Sequence, residues 1–370
     1  MNLLVIGGKL QGTEALYLAQ KAGFETLLVD KRPTPPGLKL AQNFIQYEFR
    51  PDRPGPDLET QPDLVLPALE DTPALKAIQA WALEKNLPLA FDLKAFGITT
   101  SKQASDTLFQ TLSLPAPRPW PHCQFPVVAK PNSASGSEGV AILHTPEALK
   151  AHCEPQHHWV IQEYLEGPSY SIEILGTPGN YHPLQVTEIH MDDQYDCNCV
   201  TTPVPLPLKQ VKKFEKMAIT LAEELKLKGI MDLEVILHKG KLKLLEIDAR
   251  LPSQTPMAVY WSSGVNMVDL LAQSLTGPSQ PPAPQEPVPS LVEHVQVSPF
   301  KIQVLGEHIM ATDGPLIPIK DFFGANEALT TYAPGKTHWV ATLIFTAPNA
   351  QALEQKRRDC HGRIRHLNIH

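Results

Sequence analysis

The feature that most constrains the fold is the start of the chain, where an apolar strand runs into a turn that contains glycines. The strand LLVI at residues 3–6 leads into GGKLQG and then into a helical pattern over residues 13–22. Strand, tight turn and helix in this order are typical of a Rossmann-like unit. More apolar runs alternate with helical patterns further on, at residues 25–29, 63–66 and 88–91. The alternation predicts a parallel α/β sheet with crossover helices in about the first ninety residues.

The same turn raises the question of a dinucleotide site. Asp30 follows the turn at about the distance where NAD enzymes place a ribose contact. In G-x-G-x-x-G, however, the middle glycine lets a pyrophosphate approach the backbone, and here Lys9 stands at that position between Gly7 and Gly12. The spacing favours the fold over the dinucleotide, so an NAD(P)-dependent oxidoreductase is kept as an alternative. Ligands of such sheets bind beyond the carboxyl ends of the strands, which makes candidates of Lys9, Leu10, Gln11, Asp30 and Glu70.

Composition narrows the class of protein. A chain of 370 residues predicts two or three domains, and a net charge of -7 with 19% charged residues gives no basic surface for nucleic acid or anionic lipid. Five cysteines without CxxC spacing suit reduced thiols rather than a disulfide framework. Neither a signal-peptide pattern nor an apolar run of about eighteen residues is present. We expect a soluble, cytoplasmic protein that acts on small molecules; its oligomeric state stays open.

A hairpin pattern in IMDLEVILHKGKLKLLEIDARLP can be tested by the alternation of its residues. If KGK at residues 239–241 forms a three-residue turn, Glu234 faces Glu246 and Asp232 faces Asp248. The other face would be apolar and would consist of Leu233, Val235, Leu237, Leu245, Ile247 and Ala249. Two like charges at ~4 Å repel by about 4 kcal/mol at an effective dielectric constant of 20, so the carboxylates favour a cation such as Mg²⁺. The alternatives are a two-residue turn that splits the carboxylates between faces, or a salt-bridged surface.

Three further segments suit a nucleotide. Lys102 lies in the first turn of a Ser-capped helix at 101–112, and Lys130 precedes the Gly/Ser loop PNSASGSEGV, whose backbone N–H groups could cover a phosphate. That loop is not a Walker A motif, and by itself it is equally typical of a flexible hairpin loop. QEYLEG, residues 162–167, ends an apolar strand and could present a carbonyl and an N–H to an adenine edge.

Taken in order, these segments resemble the ATP-grasp ligases, such as biotin carboxylase, carbamoyl phosphate synthetase and D-alanine ligase. The resemblance spans nearly the whole chain. It implies an α/β protein with a Rossmann-like substrate domain at residues 1–92, an ATP-grasp domain at 93–283 and a small C-terminal α+β region at 284–370. A lid subdomain would occupy about 115–167, and the proline-rich stretch 277–289 would connect to the last region.

The resemblance also implies ATP and two Mg²⁺ ions, with a role for each matching residue. Lys102 and Lys130 would contact phosphates under the loop that contains Ser135 and Gly136. Glu163, Tyr164 and Leu165 would surround adenine. Glu234, Glu246 and Asp248 would hold Mg²⁺, and Arg250 would act with Lys130 on the reacting phosphoryl group. Asp248 stands where many relatives have Asn, QEYL replaces EKxL, and Ser169 replaces an acidic ribose contact.

Within the superfamily, four segments resemble the ligases of pyrrolysine biosynthesis that join 3-methyl-D-ornithine to L-lysine: GGKLQGTEALYLAQKAG, PALED, EGPSYSIEILG and EIHMDDQYDCNCVTTP. The implied reaction phosphorylates the ornithine-type carboxylate, and the lysine ε-amine then attacks the acyl phosphate. Lysine would bind at Leu10, Gln11 and Glu70, and the ornithine moiety at Glu173, Asp193 or Asp196. Each of the latter three is equally typical of a plain loop or strand charge. Lys9 and Asp30 would form a second, weaker nucleotide contact.

Other functions are weighed against this one. An ATP-grasp ligase of another amino-acid pair would show the same motifs, whereas a non-catalytic nucleotide sensor would be expected to lack part of the carboxylate trio. Cys197 and Cys199, and the group His152, Cys153, His157 and His158, are residue types that bind zinc. The one-residue spacing of the first pair and the helix-to-strand position of the second group argue against a zinc site.

Overall fold

The computed structural model of the chain describes residues 1–133, 139–153, 158–277, 286–299 and 301–367. In this described part, no helix combines the length and the apolar character that crossing a bilayer requires. The five cysteines are free thiols.

The N-terminal part is the predicted parallel sheet. It consists of β1 (Asn2–Ile6), α1 (Leu10–Lys21), β2 (Glu25–Asp30), β3 (Asn43–Gln46), β4 (Leu64–Pro67) and α2 (Thr72–Glu84). The strand order is β3-β2-β1-β4, and every pair is parallel. Two details differ from the sequence prediction: β3 was missed, and residues 88–91 supply only an isolated bridge from Leu89 to Val65. The sequence does not predict β3 because this edge strand is half-exposed and has only two apolar residues.

The turn after β1 depends on its glycines. Gly7 has a φ of +100°, and a Cβ on Gly12 would lie 1.8 Å from the carbonyl oxygen of Gly7. Only glycine permits the chain to pass so close to itself here. Helix α1 therefore starts immediately beyond the sheet. Lys9, Leu10 and Gln11 are thereby placed at the carboxyl ends of the strands, as the sequence predicted.

A small antiparallel sheet follows two helices. The elements are α3 (Leu93–Thr99), α4 (Lys102–Thr111), β5 (Val127–Pro131), β6 (Ala141–Leu143), α5 (Pro146–His152) and β7 (Trp159–Glu163). The sheet has the order β6-β5-β7. α4 is capped as predicted, because the Ser101 hydroxyl accepts from the N–H of Ala104 at 3.3 Å. Asn132, just after β5, also accepts from the N–H of Gln103 at 2.8 Å and so ties this sheet to the start of α4.

The rest of the chain builds one large antiparallel sheet with helices against it. Its first elements are β8 (Ser169–Thr177), β9 (Asn180–Pro183), β10 (Thr187–Met191), β11 (Cys197–Thr202), α6 (Leu208–Leu225), β12 (Gly229–His238), β13 (Lys241–Asp248), α7 (Thr255–Ser263) and α8 (Met267–Thr276). Its last elements are β14 (Ser290–Ser298), β15 (Lys301–Val304), α9 (His308–Thr312), β16 (Ile317–Lys320), β17 (Glu327–Thr330), β18 (Trp339–Thr346) and α10 (Ala350–Leu367). The main path is β13-β12-β8-β10-β11-β14-β18-β17-β16. Because β11 pairs with β14, the sheet is continuous across the proline-rich connector.

The β12–β13 hairpin confirms the predicted pairing of the carboxylates but corrects how it arises. Asp232 faces Asp248 and Glu234 faces Glu246, yet His238 pairs with Lys241, so the turn has two residues and not three. A bulge opposite Glu234 and Val235 restores the register, and Leu245 is the additional residue. The predicted place of Leu245 in the apolar stripe was therefore wrong. Leu242 and Leu244 fill the core instead, because each is at most 1% exposed.

Helix α1 joins the N-terminal sheet to the large sheet. It is buried along most of its length, and its side chains bond to α7 rather than to water. The Glu14 carboxylate accepts from the N–H of Met257 at 2.6 Å, and the indole of Trp261 donates to the Tyr17 hydroxyl at 2.7 Å. These contacts fix the carboxyl ends of the parallel strands opposite the β12–β13 hairpin.

Candidate active site

A cavity of about 600 Å³ lies between the small sheet and the large sheet. Most of the residues predicted to meet the nucleotide and metal line it: Lys102, Lys130, Glu163, Tyr164, Leu165, Glu234 and Glu246. Ser135 and Gly136 lie outside the described residues. The structure therefore brings together residues that are separated by more than a hundred positions in the sequence.

Two cations stand at one end of this first cavity. The Lys102 ammonium lies 3.0 Å from Glu246 Oε1, and the Lys130 ammonium lies 3.5 Å from the carbonyl oxygen of Leu245. Lys130 is only 7% exposed, and its removal from water lowers its pKa against the opposing effect of Glu246. Such a pair supplies a desolvated, cationic environment for an anionic group.

The other end of the cavity is formed by the QEYL segment. The Glu163 carboxylate accepts from the Arg118 guanidinium at 3.0 Å and from the Lys243 ammonium at 2.8 Å. Although desolvation opposes it, these two cations hold the pKa of Glu163 at about 2. The backbone N–H groups of Glu163 and Tyr164 donate to Arg118 and Pro126, whereas within the described part of the chain the N–H of Leu165 has no backbone acceptor. That N–H suits a hydrogen bond to a planar ring in the cavity.

Carboxylates form two rows across three neighbouring strands. Glu173, Asp232 and Asp248 are aligned on β8, β12 and β13, and the next row is Ser171, Glu234 and Glu246. Removal from water, together with the neighbouring carboxylates, raises the pKa of Glu234 to about 8 and that of Asp248 to about 7. One oxygen each of Asp232 and Glu173 is buried without a hydrogen-bond partner in the described part of the structure.

This arrangement fits a divalent cation that prefers oxygen ligands. Facing carboxylates with raised pKa values are stabilised when a cation neutralises them, and Mg²⁺ is bound through one or two carboxylates plus phosphate oxygens. The predicted trio Glu234, Glu246 and Asp248 is not, however, the most compact group. Among the described residues, one group of three metal-capable side chains has all ligand atoms within 4.8 Å of one another, and it is Asp192, Asp196 and His308.

Arg250 connects the carboxylate rows to a second cavity. Its guanidinium lies 3.2 Å from Asp248 Oδ2, 4.0 Å from Asp232 Oδ1 and 2.8 Å from Glu70 Oε1. Glu70 lies just after β4 of the N-terminal sheet, whereas both aspartates belong to the hairpin. Arg250 therefore stands where the two halves of the molecule meet, with carboxylates on both sides.

The second cavity has a volume of about 530 Å³ and opens at the carboxyl ends of the parallel strands. It brings together five residues that the sequence singled out: Lys9, Leu10, Gln11, Asp30 and Glu70. The Gln11 amide donates to Glu70 Oε1 at 2.8 Å. Sequence reasoning missed Ser253 and Glu307, which also line the cavity and bond to each other at 2.7 Å. Glu307 precedes α9 in an irregular segment, and no local pattern in the sequence marks it.

Asp30 is already bonded within the chain. It accepts from the N–H of Gly8 at 2.7 Å and from the Arg32 guanidinium at 2.6 Å. Despite desolvation, these partners lower its pKa. The Asp30 carboxylate thus stabilises the glycine turn itself.

Three predicted substrate residues line neither cavity. Glu173 is fully buried and accepts from the hydroxyl of Thr255 at 2.6 Å. Asp196 accepts from His308 Nδ1 at 2.6 Å, and Asp193 is exposed on the same loop. Of the residues considered for zinc, His157 lies outside the described ranges, and the Cys197 thiol donates to the Cys199 carbonyl at 3.7 Å.

Comparison with known proteins places this geometry in context. The sequence model of the ATP-grasp domain matches residues 100–254, which contain both cavity lysines and the whole hairpin. The chain is 35% identical over 323 residues to the 3-methyl-D-ornithine–L-lysine ligase of Methanosarcina mazei, covering 86% of this chain and 80% of that protein. It is 33% identical over 369 residues to the ligase of the same name from Methanosarcina acetivorans, covering 96% of each.

Solved structures share the fold at low sequence identity. The biotin carboxylase domain of 2-oxoglutarate carboxylase from Hydrogenobacter thermophilus, solved with MgADP and bicarbonate, superposes with a TM-score of 0.73 at 15% identity, covering 97% of this chain and 89% of that one. N5-carboxyaminoimidazole ribonucleotide synthetase from Thermotoga maritima superposes with a TM-score of 0.68 at 18% identity, covering 96% of each chain. The predicted fold class, a parallel N-terminal sheet followed by an ATP-grasp fold, is confirmed.

Proposed function

Because this chain belongs to the ATP-grasp family of 3-methyl-D-ornithine–L-lysine ligases, we propose that it joins 3-methyl-D-ornithine to the ε-amine of L-lysine in pyrrolysine biosynthesis. The enzyme is an ATP-dependent ligase that forms a C–N bond. The observation that supports this most directly is the position of Arg250, which lies between the carboxylate rows and the second cavity. An NAD(P)-dependent oxidoreductase is not favoured, since the relatives are ligases.

ATP and Mg²⁺ are the expected cofactors, and the first cavity is their proposed site. Lys102 and Lys130 would face the phosphates, covered by the loop that contains Ser135 and Gly136. Adenine would lie against Tyr164, meeting the backbone of Glu163 and Leu165. Glu234, Glu246 and Asp248 would hold Mg²⁺, and we propose two ions. When bound, the metal would offset the negative charge that accumulates on the transferring phosphoryl group.

The reaction would proceed in two steps. A carboxylate oxygen of 3-methyl-D-ornithine attacks the γ-phosphorus, the bond to the β-phosphate oxygen breaks, and ADP leaves. The lysine ε-amine, once deprotonated, then attacks the acyl phosphate carbon, and the C–O bond to phosphate breaks with loss of inorganic phosphate. Arg250 and Lys130 would stabilise the charged oxygens in both steps. Closure of the cavity against water would protect the acyl phosphate from hydrolysis.

The two amino acids would occupy opposite sides of Arg250. L-lysine would lie in the second cavity with its amine at Glu70 and its stem against Leu10 and Gln11. Glu307, which lines the same cavity, would supply a second carboxylate. The ornithine moiety would lie on the hairpin side of Arg250, near Glu173 and Asp232. Asp232 Oδ1 is 4.0 Å from the guanidinium, whereas one buried oxygen of Glu173 has no hydrogen-bond partner in the described part of the chain and suits an ammonium group. Lys9, exposed at the rim of the second cavity, would contact an anionic ligand there, and Asp30 would hold the turn that presents it.

We keep the proposed division into residues 1–92, 93–283 with a lid at about 115–167, and 284–370. Arg250 and Glu70 then lie at the junction of the first two units. Since ATP and free amino acids are its substrates, we also propose that the enzyme works in the cytoplasm, and that neither nucleic acid nor a membrane is its partner.

The test is an ADP-release screen over amino-acid pairs, with mass detection of the amide. We expect turnover with 3-methyl-D-ornithine plus L-lysine to exceed that with D-alanine pairs by at least tenfold. Each pair is compared with its single amino acids, which report uncoupled ATP hydrolysis. Equal rates for the D-alanine pairs would contradict the substrate assignment, and the absence of any amide with every pair would contradict ligation itself.

A further inference from the structure

The loop between β10 and β11 connects the two cavities. Met191 and Tyr195 line the first cavity from this loop, although both are partly exposed. The side chains of Asp192 and Asp196 face the opposite side of the loop. They contact the segment 305–308, which contains Glu307. One short loop thus contacts the nucleotide cavity with one set of side chains and the second cavity's wall with another.

Hydrogen bonds fix this loop on both sides. Asp192 Oδ1 accepts from the N–H of Gln194 at 2.8 Å and from that of Asp196 at 3.0 Å, so it closes the loop on itself. Asp192 Oδ2 accepts from the N–H of Gly306 at 3.0 Å. Asp196 Oδ2 accepts from the N–H of His308 at 3.1 Å and from its Nδ1 at 2.6 Å. The two carboxylates therefore bond to the residues immediately before and after Glu307.

The Asp196 side chain lies so close to Gly306 that no side chain would fit at residue 306. A Cβ built there would lie 2.1 Å from Asp196 Oδ2 and 2.4 Å from Asp196 Cβ. A third bond adds to this close contact, because the N–H of Glu307 donates to the carbonyl of Cys197 at 3.0 Å. The backbone of Glu307 is thus bonded at its own position and at both neighbours.

The Glu307 side chain then points away from the loop and into the second cavity. Its carboxylate accepts from the Ser253 hydroxyl at 2.7 Å and lines the cavity together with Arg250 and Glu70. Glu307 lies between β15 and α9, and its carbonyl accepts from the N–H of Met310 at 2.8 Å. The bonds from the β10–β11 loop add to this contact in fixing its position.

We infer that Asp192 and Asp196 are positioning residues that hold Glu307 in the second cavity and thereby set the affinity for the cationic amino acid bound there. The inference rests on the proposed function, which places L-lysine in this cavity. It differs from the sequence prediction, in which Asp196 would contact the ornithine moiety directly. The carboxylate oxygens that meet the segment 305–308 accept from N–H groups of Gly306 and His308.

The experiment measures dissociation constants of L-lysine and of ADP for the full chain by calorimetry. We expect Asp196→Ala and Gly306→Ala to weaken L-lysine binding about tenfold and to leave ADP binding within twofold. Gln194→Ala is the matched control, because Gln194 is an exposed residue of the same loop, and it should change neither constant. If Asp196→Ala does not fold, Asp196→Asn replaces it, on condition that its thermal midpoint is close to that of the wild type.

A double-mutant cycle separates positioning from direct contact. If Asp196 acts through Glu307, Asp196→Ala combined with Glu307→Gln should lose no more L-lysine affinity than Glu307→Gln alone. Additive losses, or unchanged binding in Asp196→Ala and Gly306→Ala, would overturn the inference. A wild-type protein that binds no L-lysine would instead contradict the proposed function.

Discussion

Glu246 faces two residues of opposite charge and a cavity with one carboxylate. It faces Glu234 across the hairpin, lies 3.0 Å from the Lys102 ammonium, and lines the first cavity. Its charge is destabilising beside Glu234 and useful beside a metal or Lys102. A neutral side chain of the same shape therefore separates the two effects.

Glu246→Gln should reduce ADP release by at least a hundredfold and leave the thermal midpoint of the metal-free protein unchanged or slightly raised. The rate falls because an amide is a poor ligand for Mg²⁺. The fold persists because relief of the cross-strand repulsion offsets the loss of the ion pair with Lys102. Lys241→Gln, at the exposed start of the same strand, is the matched control and should keep the wild-type rate. Turnover retained in Glu246→Gln would remove the metal assignment.

At the scale of elements, the contact between α1 and α7 predicts a pH dependence. Glu14 on α1 is 4% exposed, and burial raises its pKa to about 8 from an ordinary 4.5. The unfolded chain releases this proton above pH 4.5, whereas the folded chain keeps it up to about pH 8. The contribution of Glu14 to stability is therefore greatest below pH 4.5 and is lost as the pH rises towards 8.

Glu14→Gln removes that loss because the amide stays neutral and can still accept from the N–H of Met257. Between pH 5.5 and 8 we expect the free energy of unfolding of the wild type to fall by roughly 3 kcal/mol relative to the variant. Urea titrations at several pH values measure the difference. Glu25→Gln, an exposed residue on β2, should follow the wild type; parallel curves for wild type and Glu14→Gln would contradict the prediction.

The hairpin shows what local patterns can and cannot predict. A three-residue turn, and a two-residue turn followed by a bulge, both place Glu246 opposite Glu234, so alternation predicted the carboxylate face correctly. They differ in whether Leu244 or Leu245 faces the core, and both leucines are equally apolar. The doubled leucine is the one signal of the bulge, since it is where the alternation of LKL and LEID changes phase.

Glu307 and Arg250 show the difference between a site residue that a sequence pattern marks and one that it does not. Arg250 follows a recognisable strand, and its guanidinium lies 3.2 Å from Asp248, two residues before it in the sequence. Glu307 lies in a short irregular segment, and its place in the second cavity depends on tertiary contacts such as those of its neighbours with Asp192 and Asp196. Asp30 differs from Glu307, because its place at the end of β2 was predicted. Its charge, which suggested a ribose contact, is already paired with Arg32 two residues along the chain.

At the scale of the whole molecule, one buried ion pair joins the N-terminal sheet to the last strands of the large sheet. Lys21 at the end of α1 lies 2.6 Å from Glu327 on β17, and the Glu327 side chain is 4% exposed. The Lys21 ammonium also lies 5.0 Å from the centre of the Tyr17 ring. Removing one partner leaves the other charge buried and unpaired.

Lys21→Met should lower the free energy of unfolding by about 3 kcal/mol, and Lys21→Met combined with Glu327→Leu should recover most of that loss. Urea denaturation measures both, and we expect a single transition in each case. Lys85→Met is the control: its ammonium lies 3.7 Å from Asp57 at the surface, where ion pairs contribute less than about 1 kcal/mol. A double variant less stable than Lys21→Met would contradict this account.

The pairing of β11 with β14 has a consequence for how the C-terminal region can be exchanged. Cys199 to Thr202 bond to Ser290 to Glu293 in antiparallel register, so the strands on either side of the connector complete each other. If the two parts were separated at the connector, the edges of β11 and β14 would be exposed and could pair with other molecules. The last region therefore cannot be exchanged by itself. In a chimera with the C-terminal region of a relative, we expect β11 and β14 to be needed from the same protein, since mismatched strands would leave exposed edges that promote aggregation.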